Sequence, residues 1–160
     1  MELSITAMTE ENANAIAQWT YDDIYSLYNN TGDNIDGYMD GTHFACTNLN
    51  GELVGYFCFG EEARIPTEEN DVYDEGFLDI GLGMRPDLCG KGYGVSFLSK
   101  GLEFAQELYK TTQFRLTVVT FNERAIKAYT KAGFLVEREV THLNTKGKFI
   151  IMKCARENTP

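Results

Sequence analysis

The stretch Met84-Arg85-Pro86-Asp87-Leu88-Cys89-Gly90-Lys91-Gly92-Tyr93-Gly94 decides how this chain folds. An apolar run, Phe77 to Met84, leads into it, and a helical pattern, Val95 to Tyr109, leads out. Glycines at 90, 92 and 94 let the backbone turn tightly and bring its N–H groups close to a ligand. The helix that follows adds unpaired N–H groups and the positive end of its dipole, so the junction suits a phosphate or pyrophosphate. Lys91 supplies a positive charge there. The spacing is not the dinucleotide fingerprint G-x-G-x-x-G, and no Gly-Lys-Ser/Thr follows to make a Walker A loop. On the glycines alone, a plain strand-to-helix turn stands beside the phosphate cradle as an alternative.

Upstream, Phe77 to Met84 reads as a strand covered on both faces, and so as a central one. Gly81 and Gly83 within it mark a bulge or the close approach of a ligand. Downstream, Val95, Leu98, Leu102, Ala105 and Tyr109 recur at three- and four-residue steps and predict the core face of a helix. Phe114 to Thr120 follows as a strand, then a helix capped by Asn122 and stopped by Gly133. Leu135 to Thr141 and Phe149 to Cys154 predict a closing antiparallel pair around Asn144 to Gly147. Toward the N-terminus, Leu3 to Thr6 is a first strand, and Thr9 caps a helix with Ala13, Ile16 and Ala17 on its buried face. A second helical piece is expected over Trp19, Tyr21, Tyr25, Leu27 and Tyr28, ended by Asn29-Asn30-Thr31-Gly32. Phe44 to Thr47 and Val54 to Phe59 flank Asn50-Gly51, a strong hairpin signal. Residues 60–76 show no apolar period and read as a long acidic loop, of a length that is often functional. The sum is an α+β chain with a mixed sheet.

Composition narrows the function classes. The 160 residues, 43% apolar and 12% aromatic, fit one folded domain, 1–160, with a sizeable core. No run reaches transmembrane length and the N-terminus has no basic-then-apolar leader, so no membrane association is expected. The four cysteines, Cys46, Cys58, Cys89 and Cys154, form no C-x-x-C pair, and His43 and His142 stand apart from one another. A metal site and a disulfide framework are therefore not expected, and reduced thiols predict a cytoplasmic protein. His142, in a late strand, reads as a surface or packing residue. The net charge of −10 argues against nucleic acid and agrees with a cationic partner or with solubility alone. The acidic residues crowd into Glu61, Glu62, Glu68, Glu69, Asp71, Asp74, Glu75 and Asp79, offset only by Arg64.

With its flanks, the glycine loop resembles motif A of the GNAT superfamily of acetyl-coenzyme A-dependent N-acetyltransferases. That motif reads Arg/Gln-x-x-Gly-x-Gly/Ala, here Cys89-x-x-Gly92-x-Gly94, preceded by Met84-x-Pro86. Some thirty residues on, Asn122-x-x-Ala125-x-x-x-Tyr129-x-x-x-Gly133-Phe134 is similar to motif B. The likeness covers residues 77–134 well and is looser before them. It implies a single-domain GNAT-like fold, a mixed, mostly antiparallel central sheet flanked by helices. The site it implies binds acetyl-coenzyme A as co-substrate through Cys89, Gly90, Lys91, Gly92, Tyr93 and Gly94, with Asn122 bonded to the pantetheine or to a neighbouring backbone group. Main-chain N–H groups of Leu82 and Met84 would hold the acyl carbonyl on a splayed strand. Cys89 departs from the motif, because a thiol cannot reach a pyrophosphate as an amide or guanidinium does; it also reads as a small buried hydrophobe.

The resemblance gives Tyr129 the role of general acid toward the departing thiolate, on one helix face with Asn122 and Ala125. Packing alone is the competing reading of Tyr129. Where some relatives carry a Glu base, this chain has Thr117; Asp79, a carboxylate within an apolar strand, is the substitute, beside a plain outward-facing charge or no dedicated base at all. Two function classes follow. One is an N-acetyltransferase acting on a small cationic amine or on a peptide or protein amino group; the other is a coenzyme A-binding regulatory module. The acceptor would be shaped by Trp19 to Tyr28 and by residues 61–76. A cationic acceptor drawn by Glu68, Glu69 and Asp71 is expected, with a homodimer left open.

Overall fold

The computed structural model describes residues 2–22 and 35–157. Its strands are β1 (Leu3–Ala7), β2 (His43–Asn48), β3 (Leu53–Phe59), β4 (Leu78–Met84), β5 (Gln113–Val119), β6 (Leu135–Thr141) and β7 (Lys148–Ala155). The helices are α1 (Glu10–Ala17), α2 (Gly94–Tyr109) and α3 (Glu123–Lys131). One sheet holds all seven strands in the order β1-β2-β3-β4-β5-β7-β6. Every neighbouring pair is antiparallel except β4 and β5, which are parallel because α2 carries the chain across between them.

The pairing of β4 with β5 is short, joining only Leu78 to Phe114 and Asp79 to Arg115. Beyond Asp79 the two strands part. On its other edge β4 stays paired to β3 from Ile80 to Met84. The central strand therefore has one edge satisfied and the other open, in the middle of the sheet.

α2 packs on one face of the sheet and makes most of the core. Phe97 stacks on Phe57 at 4.5 Å, and Phe104 meets Phe44 edge-on at 4.9 Å. Phe97, Leu98, Leu102 and Ala105 are fully buried, each large side chain contributing about 1.5–3 kcal/mol by leaving water. The helical period thus found the face at Leu98, Leu102 and Ala105. Its ends differ: Val95 is half-buried at a cleft, and Tyr109 is 38% exposed. Phe97 and Gly101 belong to the face as well; Gly101 has no side chain because Phe57 occupies that space.

The N-terminal helix forms as its sequence predicts: the Thr9 hydroxyl accepts from the Asn12 N–H at 3.1 Å. Trp19 to Asp22 is not helical, and Tyr25, Leu27, Tyr28 and the Asn29-to-Gly32 stop lie outside the described residues. Residues 60–76 carry a one-turn helix at Glu61–Ala63 and a bridge from Thr67 to His142. His142 is structural: its Nδ1 accepts from the Asn144 and Thr145 N–H groups. No described helix is long and apolar enough to cross a membrane.

Candidate active site

The parting of β4 and β5 opens a cleft of about 930 Å³. Register decides what faces it. The Gly60 N–H donates to the Asp79 carbonyl and the Arg85 N–H to the Val54 carbonyl, so odd-numbered residues of β4 turn their main chain toward β3. With a period of two, Ile80, Leu82 and Met84 turn theirs toward the open side. Leu82 and Met84 thus present N–H groups to the cleft, and both residues line it. The Met84 carbonyl is taken by the Tyr21 hydroxyl, which donates to it at 2.8 Å.

At the C-terminal end of β4 the chain makes a single 3-10 turn, Pro86–Leu88, and enters the glycine loop. Gly90 (φ 76°) and Gly92 (φ 86°) both lie in the left-handed region. A Cβ on Gly92 would meet nothing within 4 Å, so the backbone there borders open space. Tyr93 precedes α2 without a side-chain cap, and the first turn of the helix has no acidic residue. An anion at this point would find uncapped N–H groups and the positive end of a 16-residue helix. The donor set therefore fits the pyrophosphate of a coenzyme.

Cys89, Gly90, Gly92, Tyr93 and Gly94 line this end of the cleft, and Lys91 does not. The positive charge comes instead from α3: Arg124 lines the cleft, and a Cβ on Gly90 would lie 2.9 Å from its Nη1. A guanidinium thus stands beside Gly90 although Cys89 carries none, and it comes from a residue 35 positions after Cys89. Burial pushes the Cys89 thiol upward, more than Arg124 lowers it, so it stays a neutral thiol. Arg124 had no signal in the sequence reading, because only the packing of α3 against α2 brings it there. That packing is close: Gly94 leaves room for Ala128, whose Cβ would lie 3.0 Å from an added methyl.

α3 aims Asn122 and Tyr129 into the same cleft. The Asn122 side chain caps the helix, accepting from the Ala125 N–H at 3.2 Å. The other end closes with Gly133 at φ 105°, whose N–H reaches the Thr130 carbonyl while the Phe134 N–H reaches that of Tyr129. Phe134 is fully buried, its ring 6.4 Å from that of Tyr129. The Gly133-Phe134 pair therefore anchors the turn that carries Tyr129.

Asp79 takes a different place from the one its sequence position suggested. It is 1% exposed and absent from the cleft wall. Arg115 Nε donates to one of its oxygens at 2.7 Å; Arg115 Nη2 and Arg64 Nε donate to the other at 2.9 and 2.8 Å. Arg115, fully buried within β5, also holds the Asp74 carbonyl and carboxylate, and the Tyr73 ring lies 5.1 Å from its guanidinium carbon. Tyr73 in turn bonds the Thr117 hydroxyl at 2.7 Å. Asp79 is thus the buried anion of an ion-pair network behind the cleft.

The far end of the cleft is aromatic. Tyr56 lies over Gly83, whose missing side chain makes the room, and is 5.8 Å from Tyr38 and 6.2 Å from Trp19 by ring centres. Burial, first, and the neighbouring Tyr38 and Cys58 push the Tyr56 phenol upward, so it is a neutral donor. His43 and Glu62 line the same end. Glu68 and Glu69 do not: Glu68 pairs with Lys146 at 2.6 Å, and Glu69 accepts from the Thr141 N–H at 2.8 and 3.1 Å. Of the acidic stretch, Glu62 is the carboxylate on the wall.

Residues 6–134 match the model of the acetyltransferase (GNAT) family. Among solved structures, an aminoglycoside acetyltransferase, AAC(6')-Ib, in complex with coenzyme A is similar at TM-score 0.74 and 20% identity, over 97% of this chain and 95% of that one. An acetyltransferase of the GNAT family from Bacillus anthracis is similar at TM-score 0.73 and 17% identity, over 97% and 95%. A chimera of the spermidine N-acetyltransferase SpeG from Vibrio cholerae and hSSAT gives TM-score 0.72 and 15% identity, over 97% and 96%. No curated protein matches the chain.

Proposed function

The chain belongs to the GNAT family of acetyltransferases, and from that premise we propose that it moves the acetyl group of acetyl-coenzyme A onto a primary amine by direct attack, both substrates being bound together. The observation that carries this reading is the open edge of β4. Leu82 and Met84 direct main-chain N–H groups into a cleft that runs on to the glycine loop and the start of α2. Bound there, acetyl-coenzyme A supplies an acyl group activated as a thioester. The protein's part is to hold and to move protons. Gly90 to Gly94 and Arg124 hold the pyrophosphate, Asn122 the pantetheine arm. The Leu82 and Met84 N–H groups stabilise negative charge on the acyl oxygen, a contribution side-chain substitution would leave in place. Tyr129 gives its proton to the leaving sulfur. Asp79 stands outside the proton chemistry, its oxygens held by Arg64 and Arg115.

The acceptor is read as a cationic amine. Glu62 on the wall, Asp40 behind His43 and the rings of Tyr38 and Tyr56 attract a cation by charge and by their π faces. Two of the similar structures are named for spermidine and aminoglycoside acetylation, which agrees with this class. Release of coenzyme A thiol should be followed with a panel of spermidine, an aminoglycoside, a basic peptide N-terminus and a neutral amino acid amide. Turnover with at least one cationic amine, faster than with the neutral one, is expected. Binding of the coenzyme with no turnover across the panel would favour a regulatory module, for which Cys89 at the Arg/Gln position and Thr117 where some relatives carry a Glu base are the arguments.

A further inference from the structure

We propose that His43, held by Asp40, is the base that takes the proton of the acceptor's ammonium group; this rests on the acetyl-transfer reading above. Three observations carry it. The first is position. His43 pairs with Cys58, and Cys58 with Gly81, so the three form one row across β2, β3 and β4. Tyr56 and Gly83 stand in the next row on the same face, and His43 lines the cleft. Gly81 puts no side chain of its own in front of β4; the Cys58 sulfur and Ala63 stand beside the place a Cβ would take. Two strand spacings, roughly 10 Å, separate His43 from the main chain of β4. The Cys58 sulfur over Gly81 and the Tyr56 ring over Gly83 floor that distance, so an acceptor would lie above these two side chains.

The second is the tautomer. His43 Nδ1 lies 3.0 Å from Asp40 Oδ1. The same oxygen accepts from the Thr42 N–H at 2.8 Å and the Thr42 hydroxyl at 2.7 Å. Burial pushes the Asp40 carboxyl upward, but the hydrogen bonds from His43 and Thr42 outweigh it and hold it down at about 2. Asp40 is then a carboxylate at neutral pH and accepts only, so Nδ1 must carry the ring proton. Nε2 is left as the lone-pair nitrogen, the arrangement that prepares an imidazole as a base.

The third is the surroundings. The His43 side chain is 11% exposed. The Tyr38 ring meets it edge-on at 5.4 Å, and Tyr56 lies 6.3 Å away, tilted. The other titratable neighbours are Cys58, whose thiol burial pushes up to about 12, with Asp40 and Glu62 adding to that shift, and Tyr109, which is raised chiefly by burial and then by Cys58 and Asp40. The phenols and the thiol are neutral at pH 7, so the charges set here are the two carboxylates. Of the two, Asp40 meets the ring directly, at Nδ1.

One N–H bond of the ammonium breaks and its proton passes to Nε2 along a chain of waters in the cleft. The freed lone pair forms the C–N bond to the acetyl carbon and the C–S bond breaks. The sulfur takes the Tyr129 proton, which water restores, and the nitrogen loses its second proton to water. His43 then returns its proton to bulk, and one proton is released overall.

Two measurements test the assignment. Long-range 1H–15N NMR of the imidazoles at pH 8 should show His43 protonated at Nδ1 in the wild type, and a loss of that preference in Asp40→Asn. A ring protonated at Nε2 would overturn the proposal without reference to any substrate. In the second, His43→Gln is assayed with acetyl-coenzyme A and spermidine, or the panel amine that outruns it, and with hydroxylamine, which is largely uncharged at neutral pH. Transfer to the alkylammonium at pH 7 should fall about a hundredfold in kcat/KM and recover as pH rises, with hydroxylamine transfer changed less than about threefold. Equal losses for both acceptors, or none for either, would overturn the role of His43 while leaving acetyl transfer standing. A wild type that transfers to no amine overturns the acetyl-transfer reading and this role with it.

Discussion

At the scale of single residues, three side chains separate binding, chemistry and stability. Tyr129 should matter to turnover alone. Tyr129→Phe keeps the ring on Phe134 and removes only the proton donor, so single-turnover rate should fall, by about a hundredfold if proton donation limits the step, with coenzyme affinity within twofold. An unchanged single-turnover rate would reduce Tyr129 to packing. Arg124→Ala should do the reverse, weakening coenzyme binding about tenfold or more in calorimetry, as the loss of a charge-assisted hydrogen bond does. Asp79→Ala removes the anion from between Arg115 and Arg64 and leaves a buried guanidinium with one partner fewer. About 3 kcal/mol of stability should go in chemical denaturation. If Asp79→Ala folded as stably as wild type and lost only turnover, the network would be a proton path after all. The pairing of Asp79 with Arg115 was not legible beforehand: each reads as a charge in its own strand, and only the parallel register sets them side by side.

At the scale of elements, α3 is where sequence and structure agree most closely. Asn122 caps it, Gly133 ends it, and Phe134 buries itself against the turn, as the local rules require. These signals are local, which is why they could be read from one chain. Gly133→Ala tests the element: the added methyl meets only Cys154 Sγ at an ordinary 3.5 Å, so its cost is backbone strain at φ 105°. A loss of about 1 kcal/mol or more is expected in thermal or denaturant unfolding, with turnover reduced if the turn under Tyr129 loosens. A neutral Gly133→Ala would mean that the C-terminal turn has no strict geometry. β4 was legible as a central strand from its apolar run, but its glycines, read as a bulge or the approach of a ligand, are neither: the β3–β4 register is unbroken there. Gly83 receives Tyr56 and Gly81 receives Cys58, side chains of the neighbouring strand. The end of the cleft formed by Tyr38, Asp40 and His43 escaped notice because those residues make no periodic pattern, and their meeting depends on a turn preceding β2.

At the scale of the whole molecule, a net charge of −10 has two uses that salt can separate. Glu68 and Glu69 are engaged with the β6–β7 hairpin, so on the proposed reading an acceptor would be attracted by Glu62, Asp40 and the general field. The KM of a cationic acceptor should therefore rise with ionic strength and in Glu62→Gln, while that for acetyl-coenzyme A stays nearly constant. An acceptor KM indifferent to both would assign the charge to solubility. The central claim is that the parted edge of β4 and the glycine loop form one continuous seat for acetyl-coenzyme A. A 1H–15N correlation spectrum of the labelled protein, titrated with acetyl-coenzyme A, tests this most directly. The largest shifts are expected at the amides of Leu82, Met84, Gly90, Gly92 and Gly94, with smaller ones at Asn122 and Arg124. Saturable shifts confined to other parts of the sheet, or none at all, would contradict it.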